Sequence, residues 1–559
     1  MLNKYKVAVI AGCLSVFLAP QAYPQHINER NGIRRVLLIS IDGMHALDYE
    51  NCVAGGTCPS LAALGRNGVN YTRTSTSKPS DSFPGLMAIV TGGTPRTVGA
   101  FYDVAYDRIL APPRNDTGNG VAGGKCTVGV ANGTTTEFEE GVEIDQTALN
   151  GGGPYSLIDG GIKSIDPTRL PRDPFNNCKP VHSWNFIRTN SIYGVIHAAG
   201  GYTAWSDKHA VYAAVSGHSD TQFPSNVDDY YSPEVNSNVI ALPGVTTATG
   251  AACGSIRDDN KKTWTDSFLN IQCYDQLKVN AVVNWIKGRT HLGTSNAPVP
   301  NIFGMNFQAV SVGQKLIESG VRGGYTDAAG TPTANMLGEI EFVDAGIGQM
   351  VSELKKQGLL RSTLIIITAK HGQSPIDTHR FTPISGTSPA DLLAAFLPFS
   401  ESPLNPTGIG PTQDDISQLW LSNSSDTLTA VGILEANAAS AGIGQIFYGP
   451  SLTTMFNSPG LPPNGDPRTP DIIVQPNVGV IYTGSSKKQA EHGGFAHDDT
   501  NVMLLVSNPA FAARTVTSFV ETTQVAPTIL QALGLDPNHL DAVQKEGTPV
   551  LPGLSLKDE

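Results

Sequence analysis

The sequence predicts an α/β fold, a mostly parallel sheet with helices on both faces. Three observations predict it. First, residues 35–41 (RVLLISI), 363–368 (TLIIIT) and 501–507 (NVMLLVS) are unbroken apolar runs. Unbroken runs suit strands covered on both faces, whereas half-exposed strands alternate. Second, helical patterns fall between the runs. Residues 83–91 read as a helix opening at Pro84, 337–357 carry apolar side chains at helical spacing, and 523–533 form a third pattern. Strands alternating with helices imply an open α/β sheet. Third, the first two runs end in polar residues, Asp42-Gly43 and Lys370-His371. Ligands of open α/β sheets collect at the carboxyl ends of strands. Weaker strand candidates are 193–197, 302–306 and 471–475.

Bulk properties narrow the class. The chain has 559 residues, of which 40% are hydrophobic, enough for a large core and too many for a disordered chain. Only 15% are charged, against about 25% in an average soluble protein. A net charge of −12 without a basic run of five or more excludes a nucleic-acid binder. With 59 Gly and 38 Pro the chain is rich in loops. They gather near 103–190, 206–260 and 374–465, read here as cap insertions beside the active face of one catalytic domain spanning 34–540, with a tail at 541–559.

The first 24 residues read as a signal peptide. Two lysines in 1–6 precede an almost wholly apolar stretch, 7–20, and small residues follow at Ala19 and Ala22. The run is too short to favour a membrane span. Ile10-Ala11-Gly12-Cys13 also has the shape of a lipobox, which leaves a lipid anchor at Cys13 as the alternative. Either reading places the mature protein outside the cytoplasm, secreted or periplasmic. Past Cys13 six cysteines remain, an even number that suits an oxidising compartment. Six allow fifteen connectivities. Neighbour pairing gives Cys52–Cys58, Cys126–Cys178 and Cys253–Cys273.

Several residues could carry chemistry. Asp42, Lys370 and His371 lie at strand ends. Ser82-Phe83-Pro84 puts a hydroxyl at a helix start, where free N–H groups and the dipole favour an oxyanion and a serine can attack. A plain N-cap is the alternative for Ser82. His371-Gly372 and His492-Gly493-Gly494 could each be ordinary loop histidines. Lys208 and His209, in Ala204-Trp205-Ser206-Asp207-Lys208-His209, could grip a substrate anion or lie in a solvated turn.

Taken together, these segments resemble the alkaline phosphatase superfamily, in particular its type I phosphodiesterase and nucleotide pyrophosphatase branch. VLLISIDGM matches the first strand with its metal-binding aspartate, and KPSDSFPGLMAIVTGGTPRTVG the nucleophile segment. MNFQAVSVG lies where the family has D-x-x-G-H-x-x-G, TAKHGQ where it has S-D-H-G-M, and AEHGG supplies the late histidine. The resemblance runs from about Val36 to Leu535. It implies an alkaline-phosphatase-like three-layer αβα sandwich and a serine nucleophile, Ser82. It assigns Asp42 and His371 to the second metal and His492 to the first of two zinc ions that clamp the attacking and leaving oxygens.

The departures from the family are specific. The first-metal aspartate falls on Asn306, its partner histidine on Val310, and the second-metal aspartate on Lys370; Gly85 and Leu86 replace the Asn and His after Phe-Pro. A valine cannot ligate and an ammonium repels a cation, so the ordinary two-zinc site cannot form. What remains, Asp42, Asn306, His371 and His492, is a mixed oxygen and nitrogen set for one divalent ion, zinc foremost, with calcium or manganese as alternatives. Lys370 then supplies a fixed positive charge beside Ser82. The expected function is an exported hydrolase of phosphate esters, phosphodiesters or nucleotide pyrophosphates, with a small-molecule substrate. The alternatives are a sulfatase or phosphonate hydrolase of the same superfamily, and a degenerate anion-binding homologue. The C/S-x-P-x-R motif of standard sulfatases is absent.

Overall fold

In the computed structural model, residues 32–554 are described, except 118–119, 139–142, 146–160, 222, 238–241, 255–263, 399–413 and 487. The expected signal peptide and Cys13 lie outside the described residues.

Eight strands form the central sheet: β1 (Arg35–Ile41), β2 (Gly68–Tyr71), β3 (Ala204–Ser206), β4 (Asp229–Tyr231), β5 (Ile302–Phe307), β6 (Thr363–Thr368), β7 (Leu505–Ser507) and β8 (Arg514–Val516). Their spatial order is β8-β2-β7-β6-β1-β5-β3-β4. Only β7 runs against its neighbours β6 and β2; the other pairs are parallel. The longest apolar run is thus central. Its side chains alternate between two cores, as the two-residue period of a strand requires. Leu37, Ile39 and Ile41 pack with helices α2 (Phe268–Ile286) and α4 (Ala334–Lys356). Val36 and Leu38 pack with α1 (Ser82–Thr91) and α5 (Val525–Ala532). The result is a three-layer αβα sandwich. Each fully buried Leu or Ile contributes about 1.5–3 kcal/mol, so unbroken runs at the centre favour this packing strongly.

Three sequence expectations change. Residues 193–197 are helical, within Ile192–Ala198, because the Ser191 hydroxyl accepts the N–H groups of Tyr193 and Gly194 and caps a helix there. The 471–475 candidate is a strand, Ile472–Pro476, but it centres a separate three-stranded antiparallel sheet with Ser417–Leu419 and Ile443–Tyr448. The 501–507 run shortens to β7. The cysteines pair as neighbours, Cys52–Cys58, Cys126–Cys178 and Cys253–Cys273, with Cα–Cα separations of 5.4, 6.0 and 5.8 Å. Asp541–Glu546 is a helix whose Glu546 carboxylate accepts the Thr94 N–H. Among the described residues no helix is long and apolar enough to cross a membrane.

Candidate active site

The site grows out of strand register. Ser40 of β1 stands opposite Asn306 of β5 on one side and Thr368 of β6 on the other. Two residues further along each chain come Asp42, Gln308 and Lys370. The two-residue period turns all of these toward the α1 layer.

Helix α1 brings the hydroxyl. Its N-cap is Asp81, whose carboxylate accepts the Phe83 N–H at 3.0 Å, and Ser82 is the first helical residue. The N-cap alternative for Ser82 is therefore set aside. The Ser82 hydroxyl is buried among polar partners instead. Lys208 Nζ donates to its Oγ at 3.2 Å, His371 Nε2 lies at 3.1 Å and Asp42 Oδ2 at 3.4 Å.

The tautomer of His371 follows from its other nitrogen. Nδ1 lies 2.9 Å from the Gly372 carbonyl oxygen, which can only accept, so Nδ1 carries the proton. Nε2 is the ring nitrogen that faces the Ser82 hydroxyl, with Asp42 Oδ2 3.6 Å from it. A hydroxyl within hydrogen-bond reach of an imidazole nitrogen is the geometry that general-base catalysis uses.

The helix terminus contributes less than its position promised. Pro84 has no N–H, Phe83 donates to Asp81 Oδ2, and Gly85 donates to the Asp81 carbonyl at 2.8 Å. The positive charge at the site comes from lysines instead. Lys208 touches Ser82 directly. Lys370 Nζ donates to Asp207 Oδ1 at 2.9 Å, sits 3.9 Å from Asp42 Oδ2 and lies 4.2 Å from the centre of the Tyr212 ring. The carboxylates and the aromatic face hold the cation in a fully buried position. Burial alone would raise the Asp42 carboxyl, but Lys370, His371 and Lys208 outweigh it and hold it well below the usual carboxylate range.

The remaining expected residues divide. Asn306 joins the cluster, donating its Nδ2 to Asp42 Oδ1 at 2.7 Å. His492 stands at the edge: its ring centre is 4.0 Å from that of His371, and its Nδ1 is 3.5 Å from Asp81 Oδ1. His209 lies behind Tyr212, stacked on that ring and bonded to Glu234 at 2.7 Å. His497 and Asp498, five and six residues past His492, stay outside the Ser82 cluster: His497 is exposed and Asp498 accepts the Ile376 N–H.

The sequence reading missed Gln308, Asp207 and Tyr212. Gln308 Nε2 donates to Asp42 Oδ2 at 2.7 Å and also to Asn306 Oδ1. Only its register beside Asp42, two residues beyond Asn306, marks it as part of the site. Its backbone is fixed by Asp275, whose Oδ2 accepts the N–H groups of Gln308 and Ala309 at 2.7 and 2.8 Å while Oδ1 pairs with Lys278 at 2.9 Å.

This donor set does not fit the single ion expected from Asp42, Asn306, His371 and His492. Both oxygens of Asp42 accept amide N–H groups, Asn306 turns its oxygen to Gln308, and an ammonium lies within 4 Å. Val310, at the missing histidine's position, is fully buried in apolar surroundings. Among the described residues no group of three or more His, Cys, Asp or Glu forms a cluster able to hold a metal.

A buried serine bonded to Lys208 and facing His371, at the strand ends of an αβα sandwich, is the centre of the candidate site. The profile of the type I phosphodiesterase / nucleotide pyrophosphatase family matches residues 36–498, and the chain belongs to that family. Solved structures of similar fold include the inactive variant of murine ectonucleotide pyrophosphatase / phosphodiesterase 5 in complex with AMP, at 15% identity and a TM-score of 0.50, covering 90% of this chain and 96% of that one. The human form of that protein gives 14%, 0.50, 90% and 95%. The alkaline phosphatase PafA gives 12%, 0.52, 92% and 97%. At these identities they show the fold alone. A search of curated proteins finds no match.

Proposed function

We propose that this chain is an exported hydrolase of phosphate esters, cleaving phosphodiester or nucleotide pyrophosphate bonds with Ser82 as nucleophile. The observation that carries the reading is the convergence of Lys208, His371 and Asp42 on one buried hydroxyl. Ser82 Oγ attacks phosphorus while its proton passes to His371 Nε2. The bond to the leaving oxygen, opposite the attacking Oγ, breaks; that oxygen takes its proton from solvent while His371 keeps the serine's. Lys208 and Lys370 face the charge that develops on the phosphoryl oxygens. Water then attacks the phosphoserine phosphorus in line with the P–Oγ bond; that bond breaks, His371 returns its proton to Ser82 Oγ, and the phosphate product leaves with the water's oxygen. The substrate is a small-molecule phosphate ester. Three disulfides and the basic-apolar N-terminus support a secreted or periplasmic location.

The test is a panel of aryl phosphodiester, phosphomonoester and sulfate esters, run on the full chain and on Ser82→Ala. Diester turnover is expected in the native chain and abolished in the variant. The substitution removes a buried hydroxyl that accepts from Lys208 and should cost about 1–3 kcal/mol of stability, so folding of the variant is checked by circular dichroism. Sulfate turnover in preference to phosphate would assign the sulfatase reading, and diester turnover that survives the substitution would overturn the serine.

A further inference from the structure

Two metal ions serve the family site that this chain resembles, yet here both oxygens of Asp42 are already taken by the protein's own amide donors and an ammonium lies 3.9 Å from one of them. We propose that the chain has exchanged both ions for side chains, Lys370 replacing one charge and the Gln308 amide closing the gap left by the other, so that its anion site is complete without metal. The inference rests on Ser82 being the phosphoryl-binding centre.

Asp42 is the residue that discriminates. An ionised carboxylate only accepts, so each close neighbour must present a donor. Asn306 and Gln308 therefore turn their NH₂ groups toward it, each at 2.7 Å, and the assignment of the two amides is not arbitrary. An ion beside Asp42 would meet N–H hydrogens where it needs oxygens. Gln308 spans Asp42 and Asn306, the residues that would otherwise face each other across the gap. Asp275 clamps the start of α3 (Ala309–Lys315) through two backbone N–H groups, which fixes the segment carrying that amide. The Asp275–Lys278 pair is itself fully buried.

On the other flank the charge survives but changes carrier. Lys370 is held on three sides, by Asp207, Asp42 and the Tyr212 ring, and Lys208 adds a second ammonium at Ser82. Two lysines against two carboxylates, Asp42 and Asp207, form a neutral set before ligand arrives. A third carboxylate, as the family has at Lys370, would leave it negative and call for a cation. The lysine removes the need that a metal meets.

Two measurements on the full chain, purified from metal-replete medium, decide the matter. Elemental mass spectrometry should find zinc, manganese, calcium and iron far below one equivalent per chain. Calorimetric binding of inorganic phosphate should be the same with and without excess chelator. Lys370→Met should weaken that binding roughly ten- to a hundredfold, the worth of one charge-assisted hydrogen bond. One tightly held equivalent of a divalent ion, or phosphate binding abolished by chelator and restored by zinc, would overturn the exchange. Both readings use the native chain, so poor folding of the variant leaves them intact. If the chain is metal-free and binds phosphate but turns over no ester, the exchange stands and the hydrolase reading falls. If it turns over esters with zinc bound, the reverse holds.

Discussion

The two flanks of β1 make an instructive contrast. Toward β6 the neighbours of Asp42 are Lys370 and His371, one a fixed cation and one a base. Toward β5 they are Asn306 and Gln308, both neutral amides. The strands on either side are parallel and in the same register with β1, so backbone geometry does not separate them. The difference lies in what each flank does for one carboxylate. The β6 flank sets its charge and reaches Ser82; the β5 flank saturates its lone pairs.

Substitutions can break this contrast, and the largest effect is expected at Lys370. Lys370→Asp restores the family's residue type but packs a third buried carboxylate beside Asp42 and Asp207. It breaks one buried pair and adds an unpaired anion, a loss of about 5 kcal/mol or more. It should not restore a metal-dependent activity, because Asn306 and Val310 are unchanged. Denaturant unfolding and turnover with added zinc measure both. A stable, zinc-activated variant would mean that the β6 flank is not committed to a cation.

Next comes Asp42→Asn, which leaves two buried ammonium groups short of a counter-charge and should cost about 3–5 kcal/mol at neutral pH. The sign of its pH dependence follows from the depressed carboxyl. A carboxyl lowered on folding stabilises the native state above its unfolded value, and that contribution is lost as pH falls. The gap in Tm between native chain and variant should therefore be widest near neutrality and narrow below about pH 4. A gap that does not change with pH would show that Asp42 is not held as an anion.

Gln308→Met tests the neutral flank and should have the smallest effect. It removes one amide donor to a carboxylate, worth about 1.5–3 kcal/mol, and leaves the charges at Ser82 in place. The loss should appear in thermal unfolding far more than in kcat. If this substitution matches Lys370→Asp in stability or silences turnover, the two flanks are not functionally distinct.

The sequence made the frame of this site legible and left its lining obscure, for physical reasons. Unbroken apolar runs placed β1 and β6, and their polar ends pointed to Asp42, Lys370 and His371. Ser82 was legible because a proline two residues on marks a helix start. Lys208 reaches Ser82 from 126 positions away along the chain, and its contact depends on β3 lying at the far side of β5. Gln308 was hidden because an amide next to a strand end resembles any loop residue until its register with Asp42 is known. Residues 193–197 misled because Tyr, Val and Ile favour strands, while Ser191 decides the matter by capping a helix.

Gly85 carries a last consequence. Its α-carbon packs against the backbone of Lys370, so closely that an added Cβ would meet the Lys370 carbonyl oxygen at 2.2 Å. The family has asparagine at this place. A library that varies one codon at a time therefore meets a backbone collision at 85 and an uncompensated charge at 370 before it regains anything. Restoring the family's residue at 85 therefore requires the backbone at Lys370 to move first, which ties the two positions together.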